Sequence, residues 1–105
     1  MLSKSFYVYI ITNKNNTTLY IGVTDNLIRR IYEHKKEIIE GFSKRYNLKK
    51  LIYFEETPNA YAAISREKQL KNWHREWKLN LIKKNNPTFK DLAAEWFRDP
   101  ETSSG

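Results

Sequence analysis

Tyr9, Tyr20, Arg30, His34 and Glu67 are the residues of this chain whose types suit chemistry. Two phenols, a guanidinium, an imidazole and a carboxylate together fit hydrolysis of a phosphodiester. The carboxylate can hold a divalent cation, a polarised base can prepare water, and the guanidinium can stabilise the pentavalent phosphorus. Taken singly, each residue has an ordinary explanation. A strand tyrosine is usually core with its hydroxyl at the rim. A helix arginine is usually a solvated charge, and a lone histidine is more often structural than catalytic. Glu67 has Lys71 one helical turn away as a partner. The set becomes informative because the patterning sends all five toward one region.

The elements that must carry them follow from composition and period. Phe6–Ile11 is β-branched and aromatic, which predicts a buried strand. Asn13-Lys14-Asn15-Asn16 is a turn cluster, and residues 18–22 read as the return strand. A turn centred on Lys14-Asn15 sets Tyr9 directly across from Tyr20. A slip of two residues would make them diagonal neighbours on the same face. Thr24 or Asp25 is the expected cap of a helix to about Glu40, ended by Gly41, with an apolar stripe of Leu27, Ile31 and Ile38. Helical phase turns Arg29 outward and sets Arg30 and His34 on the border facing the sheet. Residues 42–47 read as a loop and Leu51–Phe54 as a third strand. After Pro58-Asn59 a helix is expected from Ala60 to about Lys84. Its stripe is Ala63, Glu67, Leu70, Trp73, Trp77 and Leu81. Asn85-Asn86-Pro87 breaks it, and Thr88 is the expected cap of a last short helix bearing Leu92, Trp96 and Phe97.

Charge and composition narrow the partners. The net charge is +7, from 19 Lys+Arg against 12 Asp+Glu. It gathers in two blocks, residues 28–50 and 66–84, each at +5. Two such blocks on one face would track a polyanion, whereas on separate faces they are only solvated surfaces. The absence of cysteine excludes disulfide frameworks, thiol catalysis and Cys-type zinc sites. Two histidines are too few for a His-rich metal centre. No apolar run approaches a membrane span, and residues 1–5 lead into no signal-peptide core. The expectation is one soluble, cytoplasmic domain over residues 1–98, with residues 99–105 a disordered tail.

Several stretches carry a resemblance. Tyr7-Val8-Tyr9, then Tyr20-Ile21-Gly22, then Arg30 eight residues after that glycine, resemble the GIY-YIG nuclease family. Arg66-Glu67-Lys68-Gln69-Leu70-Lys71-Asn72-Trp73 is similar to the stretch holding that family's metal-binding glutamate. Asn86–Leu92 is similar to the closing motif of its small, stand-alone bacterial members. The likeness runs from about Phe6 to Leu92. It departs at the first motif's glycine, which is Tyr7 here and should share Tyr9's face.

The resemblance implies an α+β fold, a small three-stranded antiparallel sheet flanked by helices. It also implies roles: Tyr9 as general base, Tyr20 positioning water or phosphate, Arg30 on the phosphate and His34 assisting proton transfer. Glu67 would hold one Mg²⁺ or Mn²⁺. The expected partner is nucleic acid, DNA rather than RNA, touched by Arg29, Lys35, Lys44, Arg45, Arg66, Lys71 and Asn86. The expected activity is metal-dependent endonucleolytic cleavage. The rivals are a nucleic-acid-binding module of the same fold without the chemistry, and a protein-interaction domain using its C-terminal aromatics.

Overall fold

Strand β1 (Phe6–Thr12) runs through the middle of an antiparallel sheet, between β2 (Leu19–Thr24) and β3 (Lys50–Thr57). The computed structural model describes residues 5–97; the expected tail, residues 99–105, lies outside them. Alternation along β1 divides the core. Val8 and Ile10 face one side with Ile21, Ile52, Ala63, Leu70 and Ile82. Tyr9 and Ile11 face the other with Leu27, Ile31, Leu48, Leu51 and Ala93. Each fully buried Val, Leu or Ile contributes about 1.5–3 kcal/mol, so a two-sided central strand is the main source of stability. The architecture is the expected α+β sheet with flanking helices, in three layers.

The β1–β2 register differs from the expected one by two residues. Tyr9 pairs with Gly22, and Tyr20 pairs with Ile11. The cause is a longer turn. Asn13 Oδ1 accepts from the backbone N–H groups of Thr17 and Thr18, and Asn16 adopts a left-handed φ of 60°. Asparagine side chains stabilise such turns by standing in for backbone acceptors. Tyr9 and Tyr20 are therefore diagonal neighbours on one face.

The first helix, α1 (Leu27–Lys35), is shorter than its stripe suggests. Its cap is Asn26, whose side chain accepts from Arg29 N–H, rather than Thr24 or Asp25. It ends well before Gly41. Ile38 N–H reaches Glu33 O and Glu37 N–H reaches His34 O, with Glu37 itself at a φ of 57°. That double bond pattern is a left-handed helix stop, here built without glycine. His34 consequently replaces Ile38 in the buried stripe, and Ile38 is 60% exposed. The expected loop after it contains a one-turn helix, α2 (Phe42–Arg45), begun by Gly41 at a φ of 118°.

The long helix is two helices. α3 (Ala60–Asn72) is capped by the Asn59 side chain, and α4 (Arg75–Asn85) follows an extended pair, Trp73 and His74. The break redirects α4, so Ile82 reaches the core while Trp77 stays exposed. No helix among the described residues is long and apolar enough to cross a membrane.

The C-terminal segment closes the edge of β3. The β1–β3 register shifts between Ile10 and Ile11, a bulge that turns both Ile52 and Tyr53 toward the α3–α4 side. Asn86 Nδ2 donates to Ile52 O and to Lys90 O, while Asn86 Oδ1 accepts from Lys90 N–H. Asp91 Oδ1 accepts from Leu51 N–H and Ala93 N–H, and Leu92 N–H donates to Leu51 O. Asp91, not Thr88, organises this segment. It forms successive turns over residues 92–97 rather than a helix. Leu92, Trp96 and Phe97 still pack on the Tyr9 side of the sheet.

Asn86 is thus a structural residue, 1% exposed, and not the nucleic-acid contact expected from the sequence. Asn86→Ala leaves two carbonyls and an N–H without this partner. Each buried unsatisfied group costs about 1–3 kcal/mol, so a loss of about 3 kcal/mol is expected in urea unfolding, with an unchanged fold. A loss under about 0.5 kcal/mol would show that water replaces the amide readily.

Candidate active site

The site grows from one pair of residues. Tyr9 and Gly22 face each other across β1 and β2, and the Tyr9 ring lies over the glycine. A Cβ placed on Gly22 would sit 2.5 Å from both Cζ and Oη of Tyr9. No side chain fits there. The glycine is required by this close approach, not by its backbone angles.

The Tyr9 hydroxyl, buried with its ring, meets His34 Nε2 at 2.9 Å. His34 Nδ1 in turn meets Ser43 Oγ at 2.8 Å. Tyr20 completes the group, its ring centroid 6.4 Å from Tyr9 and 5.9 Å from His34. Phe42 of α2 stacks on Tyr20 at 6.1 Å, and Tyr46 follows at 4.7 Å from Phe42. The register that makes Tyr9 and Tyr20 diagonal is what leaves room for the imidazole beside both rings.

Electrostatics keep this chain of groups neutral at rest. Burial pushes the Tyr9 phenol well above the ordinary tyrosine value; Tyr20 adds to the rise, and Glu67 and Glu33 contribute further. Arg30 acts in the opposite direction, but burial outweighs it. His34 is lowered to about 4, first by burial and then by the Arg30 charge. At neutral pH Tyr9 holds its proton and His34 is an uncharged acceptor or donor.

The arginines sit as helical phase predicts. Arg29 is 64% exposed and Arg30 36%, and both lie near Glu33, at 3.9 and 3.8 Å. Glu67, on α3, is 21% exposed, with Lys71 Nζ 3.3 Å from its Oε2. The ordinary partner weighed from the sequence is therefore present. Glu67 nonetheless stands near enough to Tyr9 to act on its phenol.

The two basic blocks do not merge into one face. α1 packs on the Tyr9 side of the sheet and α3 and α4 on the Val8 side. Several basic residues are also engaged. Lys35 Nζ pairs with Asp91 and donates to Lys49 O, so it braces the C-terminal segment instead of standing free for nucleic acid. Arg66 is bound to Glu55 and Gln69 and lies over the Trp73 ring. Lys44 pairs with Glu40, whereas Arg45 is exposed. A hollow of about 560 Å³ beside this region, with Lys14, Lys50 and Tyr46 in its wall, includes none of Tyr9, Tyr20 or His34.

Among the described residues no three His, Cys, Asp or Glu side chains gather as a metal cage. Glu67 offers a single carboxylate, the kind of donor by which a hard cation that keeps most of its water is bound. Ser43, which touches His34, is a site residue that the sequence pattern does not mark. A serine nine positions beyond the histidine, across a helix stop, gives no periodic signal.

A small α+β sheet with a Tyr–His–Ser chain, a second tyrosine beside it, and an arginine and a glutamate whose charges act on the Tyr9 phenol defines a recognisable class of domain. The sequence profile of the GIY-YIG catalytic domain matches residues 5–80, and the chain belongs to the GIY-YIG family, typically nucleases. It is 37% identical over 91 residues to a UPF0213 protein of Pediococcus pentosaceus, covering 87% of this chain and 95% of that one. A UPF0213 protein of Clostridium perfringens is 40% identical over 76 residues, 72% of this chain and 81% of the relative. The solution NMR structure of the UPF0213 protein BH0048 from Bacillus halodurans shares the fold. Its TM-score is 0.54 at 22% identity, over 87% of this chain and 97% of that one.

Two expectations follow from the geometry. Gly22→Ala must expel the Tyr9 ring, so it should destabilise the protein by about 2 kcal/mol, as overpacking does. The penalty should largely vanish in a Tyr9→Ala background, which a double-mutant cycle in urea measures. Equal penalties in both backgrounds would mean the ring is not the obstacle. The second concerns acid. The folded His34 value is depressed below the unfolded value of about 6.5, so the unfolded chain binds more protons between the two. The contribution is present above about pH 6.5 and is lost as pH falls toward about 4, on the order of 2–3 kcal/mol. The melting temperature of His34→Gln should fall less steeply than wild type across this window. Parallel curves would place the acid-sensitive group elsewhere.

Proposed function

We propose that this protein is a metal-dependent endonuclease that hydrolyses phosphodiester bonds, with DNA as its substrate. The observation that carries the reading is the buried Tyr9–His34 hydrogen bond of 2.9 Å, seated under Gly22 and beside Tyr20. A buried phenol bonded to an imidazole of lowered basicity serves no packing need that phenylalanine would not meet.

The chemistry runs through the chain's own groups. Tyr9 Oη takes a proton from the attacking water as its own proton passes to His34 Nε2. Because burial holds Tyr9 protonated and His34 neutral, no phenolate accumulates at rest. The two transfers therefore accompany formation of the bond from the water oxygen to phosphorus and breaking of the bond to the leaving sugar oxygen, which takes its proton from solvent. Tyr20, diagonal to Tyr9, orients the water or a phosphate oxygen. Arg30 offers its guanidinium to the charge that builds on phosphorus. Glu67 is the residue that would hold a divalent cation, Mg²⁺ or Mn²⁺, in place of its pairing with Lys71. When bound, such a cation would supply charge neutralisation for the phosphate under attack. Arg29 and Arg45, both exposed, supply non-specific phosphate contacts.

The test is cleavage of single-stranded, nicked, branched and duplex DNA with Mg²⁺, Mn²⁺ or EDTA, for wild type and variants. Arg30→Ala should slow turnover about 10²–10³-fold, as loss of one preorganised donor does, while Arg29→Ala chiefly weakens binding. Glu67→Gln should keep the fold and lose cleavage at ordinary Mg²⁺ concentrations. Tyr9→Phe should bind DNA and not cut it. Equal turnover losses for the two arginines, or identical metal curves for wild type and Glu67→Gln, would overturn the assignment.

A further inference from the structure

The His34 imidazole is almost fully buried between two hydroxyl groups. Tyr9 Oη lies 2.9 Å from Nε2, and Ser43 Oγ lies 2.8 Å from Nδ1. A neutral imidazole has one N–H and one lone pair. One hydroxyl therefore donates to the ring and the other accepts from it. The phenol, with a reference pKa of about 10, is a far stronger acid than a serine alcohol. The lone pair thus belongs opposite Tyr9, and the ring N–H opposite Ser43.

Ser43 is held for that task. It lies in the single turn of α2, 6% exposed, and its carbonyl accepts from Leu48 N–H at 2.8 Å. The left-handed stop at Glu37 is what ends α1 soon enough for the chain to return and set this serine against His34. Among the described residues no other hydrogen bond from the Ser43 hydroxyl competes with this one.

We propose that Ser43 is a positioning residue: its hydroxyl accepts from His34 Nδ1–H and so fixes the tautomer whose Nε2 faces the Tyr9 proton. The proposal rests on the relay described above. When the proton arrives at Nε2, the imidazolium keeps its Nδ1–H on Ser43, and no atom of the ring must turn. Without the hydroxyl, the ring is free to carry its proton on Nε2 and present an N–H to Tyr9. In that form Tyr9 has nowhere to send its proton.

The tautomer can be read directly, apart from any activity. Two-bond ¹H–¹⁵N spectra of ¹⁵N-histidine-labelled protein at pH 7 distinguish a protonated Nδ1 from a protonated Nε2. Wild type should show His34 with the proton on Nδ1. Ser43→Ala should show the Nε2–H form appearing, together with a DNA-cleavage rate about 10–100-fold lower, by analogy with losing the partner that orients a metal-binding histidine. Ser43→Thr keeps the hydroxyl and should keep both the tautomer and the rate. Ser43→Val matches threonine in shape without the hydroxyl, so it should behave as alanine does even if alanine leaves a void. An Nε2–H tautomer in wild type, or an unchanged tautomer in both Ser43→Ala and Ser43→Val, overturns the proposal. If wild type cleaves no DNA but the tautomer shifts as described, the nuclease reading fails while the positioning role of Ser43 stands.

Discussion

The ring of Tyr9 and the backbone of Gly22 occupy space that no Cβ can share. This one steric constraint sets much of what surrounds it. It needs the β1–β2 register found here, because a slip of one residue would carry Tyr9 to the other side of the sheet. It aims the hydroxyl at His34, which in turn needs the last turn of α1 to face that side chain inward. It leaves Tyr20 diagonal, close enough to touch both rings without displacing either. A residue larger than hydrogen at position 22 would undo all three at once.

The amount legible in the sequence varied with how local its cause was. The three strands were plain from β-branched and aromatic runs, and their shared sheet follows the resemblance as well as the pattern. The phases of Arg29, Arg30 and His34 were plain because they depend only on helical geometry. What escaped was set by single backbone positions. Glu37 adopts a conformation that favours glycine, whereas the glycine nearest the helix end in the sequence is Gly41. Trp73 and His74 are extended although Trp73 fits the helical stripe and His74 lies within the expected helix. Nothing in side-chain period announces either event, and each moved a residue into or out of the core.

The same distinction separates the two kinds of site residue. Tyr9, Tyr20, Arg30, His34 and Glu67 were visible as types at suggestive spacings, and four of them fall within one contact group or its immediate field. Glu67 joins them through its charge while it also keeps Lys71 as an ordinary partner. Lys35 and Asn86 are expected as nucleic-acid contacts. Both instead fasten the C-terminal segment to the sheet, where they satisfy buried or half-buried groups. Polarity alone cannot tell a residue that meets solvent from one that meets its own chain.

The hydrogen bonding of that segment has a bearing on how the chain assembles. The Tyr9–Gly22 contact lies within a hairpin, its partners thirteen positions apart in the chain. The β1–β3 pairing and the Asp91–Leu51 bond each join residues about forty positions apart or more. Loop-closure entropy grows only slowly with length, by about 0.6 kcal/mol per doubling, yet distant pairs still depend on intervening chain being placed first. The corner that holds Tyr9 over its glycine is therefore formed from near neighbours. The seam that locks β3 is formed from far ones, and strain during unfolding should open the seam while the hairpin is still closed.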